Sequence, residues 1–143
     1  MSRAELERVL VRREVAPEEI DSELERLERV GLVDDAALAE TIVRTQHDRK
    51  GLGRSALVAE LRRRHIDQEH IDTALEQVDD DSELARAREL AERRAPQLRS
   101  LDRVTASRRL TGYLLRKGYP SSMVRSVVDA ALDGGGRSVR FDD

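Results

Sequence analysis

The sequence contains no cysteine. Disulfides and Cys-ligated zinc or iron–sulfur sites are therefore excluded, and a cytoplasmic location is expected. Aromatic residues are nearly absent: Tyr113, Tyr119 and Phe141 are the whole set. That is too few for the base-stacking platforms of RRM or cold-shock domains, so the core must be built from Leu, Val, Ile and Ala. No apolar run approaches the ~20 residues needed to span a bilayer. No signal peptide opens the chain, because MSRAELERVL is already an amphipathic helix. Lysine is scarce too. Lys50 and Lys117 are the only two among 26 basic residues. A positive excess is also lacking: the formal charge is −3, so bulk electrostatics do not announce a nucleic-acid binder. The distribution is uneven, with residues 1–100 carrying −6 and residues 101–143 carrying +3. A length of 143 residues suits one domain or a short array of small units.

What is present is helical periodicity, and it repeats. In LRRRHIDQEHIDTAL, preceded by Leu57 and Val58, the apolar spacing gives one helix that ends near the arginines. A second helix carries Ile71, Ala74, Leu75 and Val78, and Asp67 stands where a capping carboxylate would. The same shape occurs in LVRREVAPEEIDSEL and in LLRKGYPSSMVRSVV, at offsets of 51 and 53 residues. Leu10, Leu61 and Leu114 align, as do Ile20, Ile71 and Val124. A further helix follows in two copies, DDAALAETIVRTQHD and DSELARARELAERR, each opening on acidic residues that favour a helix N-terminus. Spacing of this size marks a helical array. The expected fold class is all-α, with tandem three-helix repeats (three, three and two helices) forming an elongated curved array. The expected divisions are 1–50, 51–97, a two-helix 98–134, and a flexible glycine-rich tail at 135–143. Pro96 should end or bend a helix at the second joint.

Catalytic chemistry finds no foothold. His47, His65 and His70 lack a Cys or HExxH context, and the carboxylates lie mainly among arginines on solvent faces. No nucleophile elbow is present, nor a strand from which a P-loop could emerge. Lys50 to Gly53, KGLG, precedes a helix and could offer amides to an anion. It lacks the Walker pattern, and a flexible link between helical units is the expected role. No enzymatic activity, cofactor or metal is expected.

The arginines carry a sharper signal. At about 100° per residue, Leu57, Val58 and Leu61 centre the buried face, and Arg63 points away from it, flanked by Arg62 and Arg64. Its equivalents are Arg12 and Arg116, and the next position reads Arg13, Arg64 and Lys117. Core packing explains repeated leucines but not a repeated solvent-side arginine. The helix dipole offers one account, since a cation at a helix C-terminus stabilises by about 0.3–1 kcal/mol. A ladder of basic sites meeting acidic protein or phosphates offers another. The candidate partner-binding residues are Arg12, Arg13, Arg62, Arg63, Arg64, Arg108, Arg109, Arg116 and Lys117.

Three segments together resemble the RecX family, regulators of the bacterial recombinase RecA. They are ERVGLVDDAALAETIVR, KGLGRSALVAELRRRHID and RRLTGYLLRKGYPSSMVRSVV. The sequence departs from the family pattern in places. Glu14–Val15 stands for a Gly–aromatic turn, His65 for a common glycine, and Leu32 and Leu38 for aromatics. These departures weaken the case for one backbone conformation in all three turns. The N-terminal extension common in the family is short or absent. The resemblance implies a non-enzymatic, modular, monomeric helical protein that lies in the groove of RecA filaments on single-stranded DNA. It also implies suppression of ATP hydrolysis, strand exchange and co-protease activity, with room for a weak direct contact with DNA and no membrane association. The competing expectation is a helix-turn-helix transcriptional regulator using Arg62–Arg64 and Arg108–Arg109 on phosphates, which the acidic total disfavours.

Overall fold

The computed structural model describes residues 1–31 and 33–141, with side chains described for residues 1–31 and 33–134. The described residues form α-helices with no strand: α1 (Arg3–Arg12), α2 (Pro17–Arg29), α3 (Asp35–Lys50), α4 (Arg54–Arg63), α5 (Gln68–Leu75), α6 (Asp80–Arg94), α7 (Arg103–Arg116) and α8 (Ser121–Phe141). A 3₁₀ turn, Ala95–Leu98, follows α6 directly and holds Pro96. Proline has no amide to carry the α6 ladder further, and its ring closes the α-helix before it. The tail expected at 135–143 falls on residues without described side chains, and 142–143 lie outside the described residues.

Three turns define the repeat at atomic level. Glu14, His65 and Gly118 all have left-handed backbone, with φ of 60°, 58° and 98°. Each donates its amide to the carbonyl three residues back: Glu14 to Val11, His65 to Arg62, Gly118 to Leu115, at 3.0, 2.9 and 3.0 Å. The next amide reaches five back: Val15 to Leu10, Ile66 to Leu61, Tyr119 to Leu114, at 3.2, 3.2 and 3.3 Å. This is the Schellman motif, which satisfies the last carbonyls of a helix. Two of the three left-handed positions are held by residues other than glycine, so the expected divergence of the turns is corrected. The paired hydrogen bonds over-determine the backbone, and that outweighs about 1–2 kcal/mol of left-handed strain per site.

The chain divides into two compact units, residues 1–45 with 58–77 and residues 46–57 with 78–143. Each contains one version of the same junction. In the first, Ser2 caps α1 by accepting from the Glu5 amide at 3.1 Å, while Glu5 accepts from the Ser2 amide at 2.8 Å. The Ser2 hydroxyl, fully buried, donates to the Arg64 carbonyl at 2.9 Å. The Arg3 amide donates to Asp35 at 2.9 Å, and the Arg3 side chain pairs with Glu28. In the second, the Gly53 amide donates to the Lys117 carbonyl at 2.8 Å, the Arg54 amide to the buried Glu83 carboxylate at 2.7 Å, and the Arg54 side chain to Asp80 at 2.9 Å. Positions 2 and 53, 3 and 54, and 64 and 117 are repeat equivalents, so the helix start of one repeat is fastened to the helix end of the next in both units.

The second junction overturns the expectation of a flexible KGLG link. Gly51 and Gly53 are buried, and the Tyr119 hydroxyl, also buried, donates to the Gly51 carbonyl at 2.8 Å. A Cβ on Gly53 would lie 2.6 Å from the Gly118 carbonyl oxygen, and one on Gly118 would lie 2.5 Å from the Ala56 amide nitrogen. These glycines serve close backbone approach, not freedom of motion.

Each unit has an aliphatic core. In the first it gathers Ile20, Leu24, Val33, Ile42, Val43, Leu61, Ile66 and Ile71. In the second Leu90, Leu98, Leu110, Leu114, Val124 and Val128 pack with Tyr119. Each fully buried Leu or Ile contributes about 1.5–3 kcal/mol of transfer free energy. These cores therefore hold the helix ends in place.

Candidate partner-binding surface

The Schellman turns fix where the candidate arginines stand. Arg12, Arg63 and Arg116 are each the final helical residue before the capping turn, and all three are exposed. The aliphatic stripe turns inward through Leu10, Leu61 and Leu114 two residues earlier, which leaves the last residue on the solvent side. Their surroundings differ. Arg63, with its side chain 73% exposed, pairs with Glu60 one turn back. Arg12 has no ion pair among the described residues. Arg116 has none either, and its Nη1 folds back to 3.1 Å from where a Cβ on Gly112 would be.

The neighbouring position diverges further from expectation. Arg13 is exposed. Arg64 is half-buried and bonds Glu5 at 3.1 Å, so its guanidinium fastens α1 to the end of α4. The Ser2 amide, and after it Arg64, hold the Glu5 carboxyl below the usual carboxylate range. Lys117 donates to the Lys50 carbonyl at 2.9 Å. Arg62 is exposed and reaches Gln68 at 3.1 Å. Arg108 and Arg109 are exposed on α7 and carry no ion pair among the described residues. The first and second repeats have no basic residue at those two positions, which hold Ala4, Glu5, Ser55 and Ala56.

The structure adds two residues that sequence reasoning passed over. Val11 is 58% exposed and Leu115 44% exposed, each directly before its helix-end arginine and at equivalent positions. Single exposed apolar residues are ordinary. A repeated one beside a repeated cation is the composition of a partner contact, an apolar centre with a charged rim. The equivalent positions 11, 62 and 115 hold Val, Arg and Leu, so the apolar residue recurs in two of the three repeats.

Among the described residues no group of three or more His, Asp or Glu side chains is placed to hold a metal ion. His47 is buried, with Nδ1 2.8 Å from the Leu52 carbonyl, so it braces the end of α3. No described helix is long and apolar enough to cross a membrane.

Comparison with known proteins places these features. Residues 34–75 match the second three-helix domain of RecX, and residues 81–128 match the third. The family's three-helix domains thus match α3–α5 and α6–α8. The regulatory protein RecX of Amycolatopsis mediterranei is 42% identical over 140 residues, covering 97% of this chain and 80% of that protein. The regulatory protein RecX of Streptomyces coelicolor is 40% identical over 132 residues, covering 92% and 70%. The crystal structure of RecX from Lactobacillus salivarius shares the fold with a TM-score of 0.82 at 22% identity, over 91% of this chain and 84% of that one. A second crystal structure of a regulatory protein RecX gives 0.78 at 24% identity, over 90% and 63%. With its three capped turns, its helical repeat and relatives of this similarity along almost its whole length, the chain belongs to the RecX family of regulatory proteins.

Proposed function

We propose that the protein is a non-catalytic modulator, mainly an inhibitor, of the RecA recombinase. It binds in the groove of RecA filaments on single-stranded DNA and suppresses ATP hydrolysis, strand exchange and co-protease activity. The observation that supports this reading is the exposed arginine at the last helical position of all three capped turns. A filament offers the same surface again and again, and a repeated protein with a repeated contact residue suits such a partner. Guanidinium groups pair with carboxylates and phosphates bidentately, and the adjoining Val11 and Leu115 supply apolar contact. The division of labour is structural for Arg64 and contact for Arg12, Arg63 and Arg116.

The test is RecA ATP hydrolysis on single-stranded DNA with the purified protein titrated in. Dose-dependent inhibition, with affinity for the filament well above affinity for free duplex, is the expected result. Unchanged hydrolysis together with tight sequence-specific duplex binding would favour the helix-turn-helix regulator instead.

A further inference from the structure

A cavity of about 880 Å³ opens where α6 gives way to α7. The end of α6, the 3₁₀ turn Ala95–Leu98, the first turn of α7 and the second half of α8 surround it, all within one compact unit. Small residues leave the space open. Ala95, Ala106, Ala131 and Gly134 line it and are too short to fill it. A Cβ on Gly134 would meet no atom within 4 Å. Clefts between packed helices are a usual place for small-molecule sites, and this volume is within their range.

The chemistry of the walls changes from floor to mouth. The floor is aliphatic: Leu98, Ala106 and Val127 are buried, and Leu101, Ala131 and Leu132 half-buried. The mouth is exposed and charged, with the guanidiniums of Arg88, Arg99 and Arg103 and the carboxylate of Glu92. Arg103 already pairs with Asp129 and Asp133, at 3.7 and 2.6 Å. Arg88 and Arg99 have no ion pair among the described residues. Set against Glu92, they leave an excess of one positive charge at the mouth.

We propose that this cavity binds an amphiphilic monocarboxylate, with its aliphatic chain on the floor and its head on Arg88 and Arg99. An excess of one positive charge matches one anionic head, and a guanidinium receives a carboxylate through two parallel hydrogen bonds. The floor side chains are hydrocarbon only. A polar group placed there would lose its water without gaining a partner, so the rest of the ligand is apolar. A polyanion fits less well, because Glu92, Asp129 and Asp133 stand beside the arginines. The site shares no residue with the arginines of the proposed function, so it stands or falls without that reading.

The experiment is isothermal titration calorimetry of the full chain with decanoate, kept below its micellar concentration. Hexanoate and decyltrimethylammonium are the comparison ligands. The parent should bind one decanoate per chain, saturably. Hexanoate should bind at least about tenfold more weakly, since it has fewer methylenes to bury. Decyltrimethylammonium should also bind at least about tenfold more weakly, since its head meets like charge. The double variant R88Q/R99Q should lose about tenfold in decanoate affinity, two charge-assisted contacts having been replaced by neutral ones. Ala131→Phe, which puts a ring into the cavity, should lose at least as much. Thermal unfolding of each variant separates lost binding from lost folding, and if Ala131→Phe unfolds, the double variant alone decides. No saturable binding by the parent, equal affinity for decyltrimethylammonium, or parent-like affinity of the double variant would overturn the proposal. So would a dimer of the parent in sedimentation that Ala131→Phe abolishes, because the cavity would then hold a second copy of the chain.

Discussion

Glu14 and His65 show how a single residue can be wrong for its own backbone and still be held there. Both have φ near 60°, where a Cβ is costly. Gly118, in the same place one repeat later, has no such cost, and a Cβ there would meet the Ala56 backbone. Glu14→Gly and His65→Gly should therefore each stabilise the protein, by up to about 1 kcal/mol once the added freedom of the unfolded chain is subtracted. Urea unfolding measures this, and a loss above about 1 kcal/mol would mean that those side chains hold the turn. Gly118→Ala should cost about 2–4 kcal/mol, since left-handed strain adds to a clash with the Ala56 backbone. A change below about 0.5 kcal/mol would show that the turn yields. Sequence alone exposed Gly118 but concealed the shared conformation, because residue preference favours glycine there and the tertiary junction decides otherwise.

At the scale of elements, helix starts carry a pH signature. Asp79 and Asp102 cap α6 and α7 by accepting from Ser82 and Thr105, at 2.8 and 2.6 Å. Glu5 accepts at the start of α1. The amides these groups accept lower all three pKa values, whose ordinary values are 3.8, 3.8 and 4.5. A carboxylate with a depressed folded pKa contributes stability above its ordinary value and loses it as pH falls through the depressed one. Stability should thus decline below about pH 4.5. Tyr119 acts on the alkaline side. Burial raises its hydroxyl above the ordinary 10.0, so its contribution is intact below that value and is lost as pH rises beyond it. Unfolding midpoints across pH check both limbs. In Tyr119→Phe the alkaline decline should shrink, and an unchanged decline would assign it elsewhere. The helices were legible from aliphatic period and acidic starts. The pinned Gly51–Gly53 segment was not, because its anchor, Tyr119, lies 68 positions away. Arg64 was misleading for the same reason, since Glu5 lies 59 positions before it.

At the scale of the molecule, two junctions built from equivalent residues make the repeat a structural fact and not only a pattern of leucines. Its period was legible through the aligned Leu10, Leu61 and Leu114. We propose that the repeat presents Arg12, Arg63 and Arg116 as contact residues for a RecA filament. The direct measurement compares the parent with the triple variant R12E/R63E/R116E, by thermal and urea unfolding and by inhibition of RecA ATP hydrolysis at two salt concentrations. These side chains are exposed, so each change should cost about 1 kcal/mol or less, from helix-end charge and, at Arg63, a new like-charge neighbour in Glu60. The variant should stay folded, inhibit RecA at least tenfold more weakly, and lose most of the parent's sensitivity to salt, since screened attraction is what has been removed. A folded variant that inhibits like the parent at both salt concentrations would contradict the account and leave the repeated arginines as helix-end stabilisers alone.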